Sequence, residues 1–239
     1  MAGRSSTRGS LAGCDHAIVS IPQQSDTGSG PAPARVKLVG RALNVTVAHA
    51  PWLWPLLRRP MTSYFDGRAT TWDERTGAPG ADHLAPLALA VTKIDRRPER
   101  ALDIGTGTGV AALFVAREFP RASVRGVDVS EEMIRQAKAK VGLDPEGRVD
   151  FRVADASALP YQDGDFDLVT LLNMPPFFAE IARVLRHGGH VIVAASSGDQ
   201  TPFYTPDPVL ERGFGRRGMV TVKAGRIGRG SYFVARKGE

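Results

Sequence analysis

The hydrophobic positions of this chain change rhythm twice. Up to about residue 34, large apolar residues are scattered among Ser, Gly, Pro and Thr, ending in "SDTGSGPAPA", and a disordered tail is predicted for residues 1–34. From Arg35 to Leu57 the apolar positions recur with helical period, and a further helix is predicted near His83 to Ile94. Residues 35–98 therefore read as a helical cap or lid. The tryptophans and the Arg58, Arg59 pair of "PWLWPLLRRP" also fit an interfacial helix that meets a membrane surface. That run is broken by Arg41, His49, Pro51 and Pro55, so it is not a membrane span.

From Arg100 onward, short apolar runs alternate with helical ones. Strands are predicted at Arg100–Ile104, Ser123–Val129, Val149–Ala154, Phe166–Leu172 and His190–Ala195, with a helix over Val110–Glu118. Ser130 is a suitable N-cap for the next helix, and Glu131 and Glu132 favour the positive end of its dipole. Strands separated by helical crossovers imply a parallel, doubly wound α/β sheet over residues 99–239. The ending "MVTVKAGRIGRGSYFVARK" reads instead as two strands around a Gly-rich turn, a hairpin at the sheet edge.

Composition narrows the picture. The 239 residues suffice for one α/β domain with appendages, and a single cysteine, Cys14, rules out an internal disulfide framework and a thiolate metal site. A reducing cytoplasm fits. "LAGC" near the start has no apolar segment before it, so it reads as a coincidence rather than a lipoprotein signal. The net charge of +6 is uneven: residues 99–199 hold 11 basic against 15 acidic residues, while residues 200–239 hold 8 against 3. An acidic core with basic flanks is not a nucleic-acid-binding surface, although the Arg-rich end keeps an anionic substrate or RNA in view.

The chemistry is concentrated in "ALDIGTGTG". Gly105, Gly107 and Gly109 lie between a strand and a helix, where the backbone approaches a ligand closely and a helix N-terminus offers N–H groups. Gly-Thr-Gly-Val-Ala-Ala from Gly107 also satisfies a dinucleotide pattern, with Asp128 near the place of a ribose-binding acid, so an NAD-dependent oxidoreductase is one reading. Asp103, two residues before the first glycine, disfavours phosphates and suits an ammonium group. Asp155 and Ala156 end the next strand, where a carboxylate and a backbone donor are placed to read an adenine.

With these residues, the following "DGDFDLV" and "IARVLRHGGHVIV", and "YFDGRATTWDE" before them, the chain resembles class I S-adenosylmethionine-dependent methyltransferases of the small-molecule group. The resemblance implies a mostly parallel, seven-stranded Rossmann-like sheet with an antiparallel C-terminal strand. It implies S-adenosyl-L-methionine as cofactor, S-adenosyl-L-homocysteine as product and a small-molecule acceptor. Its cofactor residues would be Asp103, Gly105, Thr106, Gly107, Gly109, Asp128, Val129, Asp155, Ala156 and Asn173, with Trp72 at the position of an aromatic residue over the cofactor.

On that fold, His187 and His190 sit at the wrong end of their strand. Asn173, Ser196, Ser197 and Asp199 end strands on the reactive side, and His83, Tyr64 and Asp73 come from the cap. Asn173, His83 and Asp73 are the catalytic candidates; no residue is written unambiguously as a general base and no metal cluster is visible. In "LLNMPPFF", Met174 separates Asn173 from Pro175 and Pro176 and breaks the Asn-Pro-Pro pattern of enzymes that methylate amino nitrogens. The prolines are predicted to occupy the first turn of the next helix. The expected acceptor is apolar or aromatic. Methylation of RNA or protein is the alternative, for which Arg216, Arg217, Arg226 and Arg229 would form one exposed patch; a non-catalytic cofactor-binding protein is another.

Overall fold

The computed structural model describes residues 34–142, 144 and 146–238. The tail predicted for residues 1–34 lies, apart from its last residue, outside the described residues, as does Cys14.

Four helices come first: α1 (Ala34–His49), α2 (Trp54–Asp66), α3 (Trp72–Thr76) and α4 (Ala81–Val91). The alternation then runs β1 (Arg100–Ile104), α5 (Val110–Glu118), β2 (Ser123–Asp128), α6 (Glu131–Ala139), β3 (Val149–Val153), β4 (Phe166–Leu172), α7 (Phe178–Val184) and β5 (Leu185–Ala195). It closes with α8 (Asp207–Gly215), β6 (Met219–Ile227) and β7 (Gly230–Lys237). The sheet has seven strands in the order β3-β2-β1-β4-β5-β7-β6, as the resemblance implied. The first five strands pair in parallel, while β7 lies antiparallel between β5 and β6.

Why this sequence makes this sheet is visible in burial. All seven residues of β4 are buried, as a central parallel strand covered on both faces requires. Alternate residues of β1 serve opposite faces: Leu102 and Ile104 join one apolar cluster with Phe177, Phe178 and Phe214, and Ala101 joins the other with Val115, Phe151 and Tyr232. Leu43, Val47 and Trp54 of α1 and α2 belong to the first cluster, so the cap is packed into the core. Ser130 caps α6, accepting a hydrogen bond from the Met133 N–H.

Four expectations need correction. The continuous helical run from Arg35 to Leu57 is divided by a single turn at Pro51–Leu53, because proline has no N–H to continue α1. The helix expected at His83–Ile94 begins and ends earlier, at Ala81 and Val91. β5 begins at Leu185 rather than His190, with an irregularity in its register on β4 between Phe166 and Leu168 that accommodates "RHGG". Pro175 and Pro176 are not in the first turn of α7; they are buried in an extended run before it. Each proline drives the residue before it into extended conformation, so Met174 and Pro175 cannot be helical and α7 starts at Phe178.

Candidate active site

The carboxyl ends of β1, β2, β3 and β4 converge on one edge of the sheet, and the cap lies across it. The loop after β1 is built for close approach. Gly105, Gly107 and Gly109 all have positive φ, at 68°, 52° and 84°, a region in which side chains are strained. Around Gly107 there is space: a Cβ placed there would have the Trp72 Nε1 at 3.9 Å as its nearest neighbour. Trp72 thus lies beside the loop.

Asp103 ends in the core beneath this loop. One carboxylate oxygen accepts a 2.7 Å hydrogen bond from the Thr170 hydroxyl, while the other is buried with no closely aligned donor, the Thr106 hydroxyl and the Ala112 N–H contributing only looser contacts. Burial pushes its pKa up to about 6, against the opposing pull of its hydrogen bonds. A buried carboxylate so weakly satisfied would regain its charge beside a cation such as an ammonium group. Asp128, at the end of β2, accepts hydrogen bonds from the N–H groups of Gly107 (2.9 Å) and Ser130 (3.0 Å), tying the glycine loop to the start of α6. Burial raises its pKa as well, with those backbone donors opposing.

Asp155 follows β3. Its Oδ1 accepts from the Ser157 N–H (2.9 Å) and hydroxyl (2.7 Å), and also from the Trp54 indole at 2.8 Å. Its Oδ2 accepts from Arg58 at 2.9 Å. Partial burial would raise this carboxyl, but its four donors prevail and hold it below the ordinary range. Ala156 beside it is buried. Two further tethers run from the cap to the same edge: Asp66 accepts from the Ser130 hydroxyl, and Asp73 accepts from the Thr108 hydroxyl and pairs with Lys140.

The reactive-side candidates divide. Asn173 ends β4 with φ of 57°, and its amide is directed at β5: Oδ1 accepts from the Ser196 N–H at 2.9 Å, and Nδ2 donates to the Ser196 hydroxyl at 2.9 Å. It joins two strand ends and is turned away from Asp103. Asp73 is engaged by Thr108 and Lys140. His83 is held neutral by burial, which lowers its pKa against a bond to the Thr76 backbone and the charge of Asp73. Tyr64 packs edge-on against Phe65 and under Arg68. The Ser197 N–H donates to the Thr201 hydroxyl and Asp199 is exposed. His187 and His190 lie at the entrance end of β5, His190 3.4 Å from Asp95.

The apolar "MPPFF" and "TPFYTP" loops, which motivate a hydrophobic acceptor on sequence, come together here, a juxtaposition with Asp207 that the sequence reading missed. Met174 packs on the glycine loop, with its Sδ 2.8 Å from where a Cβ of Gly105 would be. Met174 also lines a narrow crevice, together with Phe203, Tyr204, Thr205, Asp207 and Leu210. Asp207 is the carboxylate of that lining; partial burial raises its pKa, with Arg226 opposing. The Thr205 hydroxyl is buried without a partner in the protein. No spacing links "TPFYTPD" to Met174, because sequence separation hides a contact made through β5. Trp54 and Arg58 share a helix face at i, i+4, which was legible, but their partner lies about a hundred residues away.

The basic end of the chain behaves differently from the alternative expectation. Arg216, Arg217, Arg226 and Arg229 are all exposed, but the first two precede β6 and the others sit at its far end. An extended strand of that length holds the pairs roughly 26 Å apart, so one continuous patch is not formed.

Residues 101–189 match a family described as methyltransferase domain. Over 111 residues the chain is 41% identical to a malonyl-[acyl-carrier protein] O-methyltransferase of Geobacter sulfurreducens, a match covering 44% of this chain and 40% of that protein. Over 115 residues it is 36% identical to a ubiquinone/menaquinone biosynthesis C-methyltransferase of Geotalea daltonii, covering 44% and 49%. The matches thus span about half, or less, of these curated relatives. Among solved structures, a SAM-dependent methyltransferase from Aquifex aeolicus superposes with a TM-score of 0.59 at 16% identity, over 72% of this chain and 97% of that one. That likeness is one of fold.

Proposed function

We propose that this chain, a class I S-adenosylmethionine-dependent methyltransferase by its domain and its fold, moves the methyl group to a small aromatic or quinol-like acceptor held in the crevice beside Met174. The observation that carries the reading is the position of that crevice. Its lining residues are largely apolar, and Met174, one of its walls, also packs on Gly105 of the glycine loop.

When bound, the cofactor supplies an electrophilic methyl on a sulfonium, which leaves without acid assistance. The protein's task is then to hold and orient, which can supply up to about 7–11 kcal/mol of the barrier. Asp103 would hold the amino group of the methionine part, the loop glycines would admit its close approach, Asp128 would receive the ribose hydroxyls and Asp155 with Ala156 the adenine. Met174, Phe203 and Tyr204 exclude water and set the acceptor ring against the loop. A quinol-type acceptor must lose a proton, and Asp207 at the start of α8 is the group we assign to receive it. The exposed guanidinium of Arg226 acts on both Asp207 and Tyr204 at this site. It supports a second reading, in which a carboxylate-bearing acceptor is methylated on oxygen.

The test is mass transfer from isotopically labelled S-adenosylmethionine to a panel of hydroxyarenes, quinols and long-chain carboxylates. Labelled C-methyl or O-methyl arene products support the reading; methyl esters alone favour the second. Stabilisation against heat by NAD but not by S-adenosylhomocysteine would remove both. Asp207→Asn is expected to lower kcat about a hundredfold with cofactor binding unchanged. The carboxylate is the active form, so turnover by the unaltered protein should rise with pH through the raised pKa of Asp207. The Asn variant should lose that acid limb.

A further inference from the structure

We propose that the outer face of the N-terminal cap docks on an anionic lipid surface. No helix among the described residues is long and apolar enough to cross a membrane, so the contact in question is one of lying on a bilayer.

The two cap helices are amphipathic in a way the core does not explain. α1 buries Gly40, Leu43, Asn44 and Val47 and turns Leu38, Arg41, Ala42 and Val45 to solvent, two stripes at helical spacing. At the corner and along α2, Trp54 is buried, while Trp52, Pro55, Leu56 and Arg59 face outward. Leu38 is 70% exposed, and Trp52 and Leu56 are each 73% exposed. Large apolar side chains left in water on two successive helices are a standing cost unless something covers them.

Charge identifies the occupant. Residues 34–65 contain Arg35, Lys37, Arg41 and Arg59, besides Arg58, which is taken up by Asp155, and no Asp or Glu. A second copy meeting this face across a two-fold axis would bring arginine against arginine. Residues 1–33 carry Arg4 and Arg8 against Asp15 and Asp26, no net charge with which to complement it. An anionic bilayer supplies both what the apolar stripes and what the arginines need: Trp and Leu enter the interface, and basic side chains meet headgroup phosphates. This surface stands apart from the acceptor reading, since it concerns the outside of the cap and its test measures no turnover.

The test is co-sedimentation of the full chain with vesicles of phosphatidylcholine alone and of phosphatidylcholine mixed with phosphatidylglycerol. Binding is expected to the mixed vesicles, weakening at high salt, and not to the neutral ones. The pair Trp52→Ser, Leu56→Ser and the pair Arg41→Glu, Arg59→Glu should each reduce partitioning by roughly tenfold or more. All four side chains are exposed, and retained S-adenosylhomocysteine binding checks that each variant is folded. Absence of pelleting with anionic vesicles, or undiminished pelleting of both variants, overturns the proposal. So does a dimer in light scattering that Trp52→Ser, Leu56→Ser converts to monomer without any vesicle binding, which would assign the face to a second copy. Vesicle binding that appears only after residues 1–33 are removed assigns it to that segment and overturns the proposal equally.

Discussion

The glycine loop and the cap face each other across the cofactor edge, and they are held by different forces. The loop is fixed by backbone: positive-φ glycines, the Gly107 N–H donated to Asp128, and packing of Gly109 against Phe151 and Ala137. The cap is anchored by apolar contacts of Leu43, Val47 and Trp54, and three of its polar tethers land on the loop and the strand ends, on Asp155, Ser130 and Thr108, while Asn44 donates to the Tyr204 carbonyl and Asp73 pairs with Lys140. The difference teaches that the loop is held by its own backbone, whereas the cap's grip includes Asp155, the carboxylate that the proposed function gives to the adenine. Substitutions in the loop should therefore damage the fold, and substitutions in the tethers should register mainly in binding.

The largest effect is expected at Gly109→Ala. The new Cβ would sit 2.8 Å from the Phe151 ring and 3.0 Å from the Ala137 Cβ, on a residue with φ of 84°. Backbone strain and overpacking together should destabilise by about 3 kcal/mol, read from urea or thermal unfolding. A loss within experimental scatter would mean that the loop is no more rigid than the cap.

Asp103→Asn tests the cradle's electrostatics. The carboxyl has a folded pKa of about 6, above its unfolded value of 3.8. The folded state therefore keeps a proton that the unfolded state releases, so stability falls as pH rises from about 4 to about 6 and is level above. The full drop is on the order of 3 kcal/mol. Asp128, whose pKa is also raised, adds a slope of the same sign. Asn at 103 should remove its share of the decline and make the ligand-free protein more stable at neutral pH. It should also weaken S-adenosylhomocysteine binding about tenfold or more, because the ammonium loses a charge-assisted partner. In the unaltered protein, bound S-adenosylhomocysteine should flatten the decline. A pH profile unchanged by the substitution would show that Asp103 is not the cation receptor.

The same contrast explains what was legible in the sequence. β1, α5 and β4 fall where the apolar rhythm put them, since short buried strands and their crossovers are written locally. The glycine loop and the acids at the strand ends were legible because chemistry there depends on fixed spacing along one segment. Three things were not. The break at Pro51–Leu53 hid inside an apolar run whose period continued across it. The prolines after Asn173 looked like a helix start, but two in succession impose extended backbone first. The crevice with Asp207 and Tyr204 is a contact between β4 and a segment beyond β5, and no periodicity reports it.

On the cap side, Trp54→Phe keeps an aromatic ring against Phe177, now 5.3 Å away edge-on, and removes the hydrogen bond to Asp155. A loss of about 1 kcal/mol in stability is expected, a third of that at Gly109. A loss as large as the loop variant's would show that the cap and the cradle unfold as one rigid unit and erase the distinction.

The smallest effect on stability, and the sharpest on the comparison, belongs to Arg58→Ala. Arg58 is half exposed, with 48% of its side chain accessible, so its ion pair with Asp155 should contribute less than about 1 kcal/mol. Its bond is nonetheless made to Asp155 Oδ2, an oxygen that the proposed function gives to an adenine amino group. Removing the guanidinium leaves that acceptor open, and S-adenosylhomocysteine should bind as tightly or about threefold more tightly, a gain of less than 1 kcal/mol. In an Asp155→Asn background the same substitution should change nothing, because the two groups act on one another. Calorimetric titration of the four proteins reads the cycle directly. Binding weakened severalfold by Arg58→Ala would mean that the cap holds the ligand itself instead of yielding its place to it.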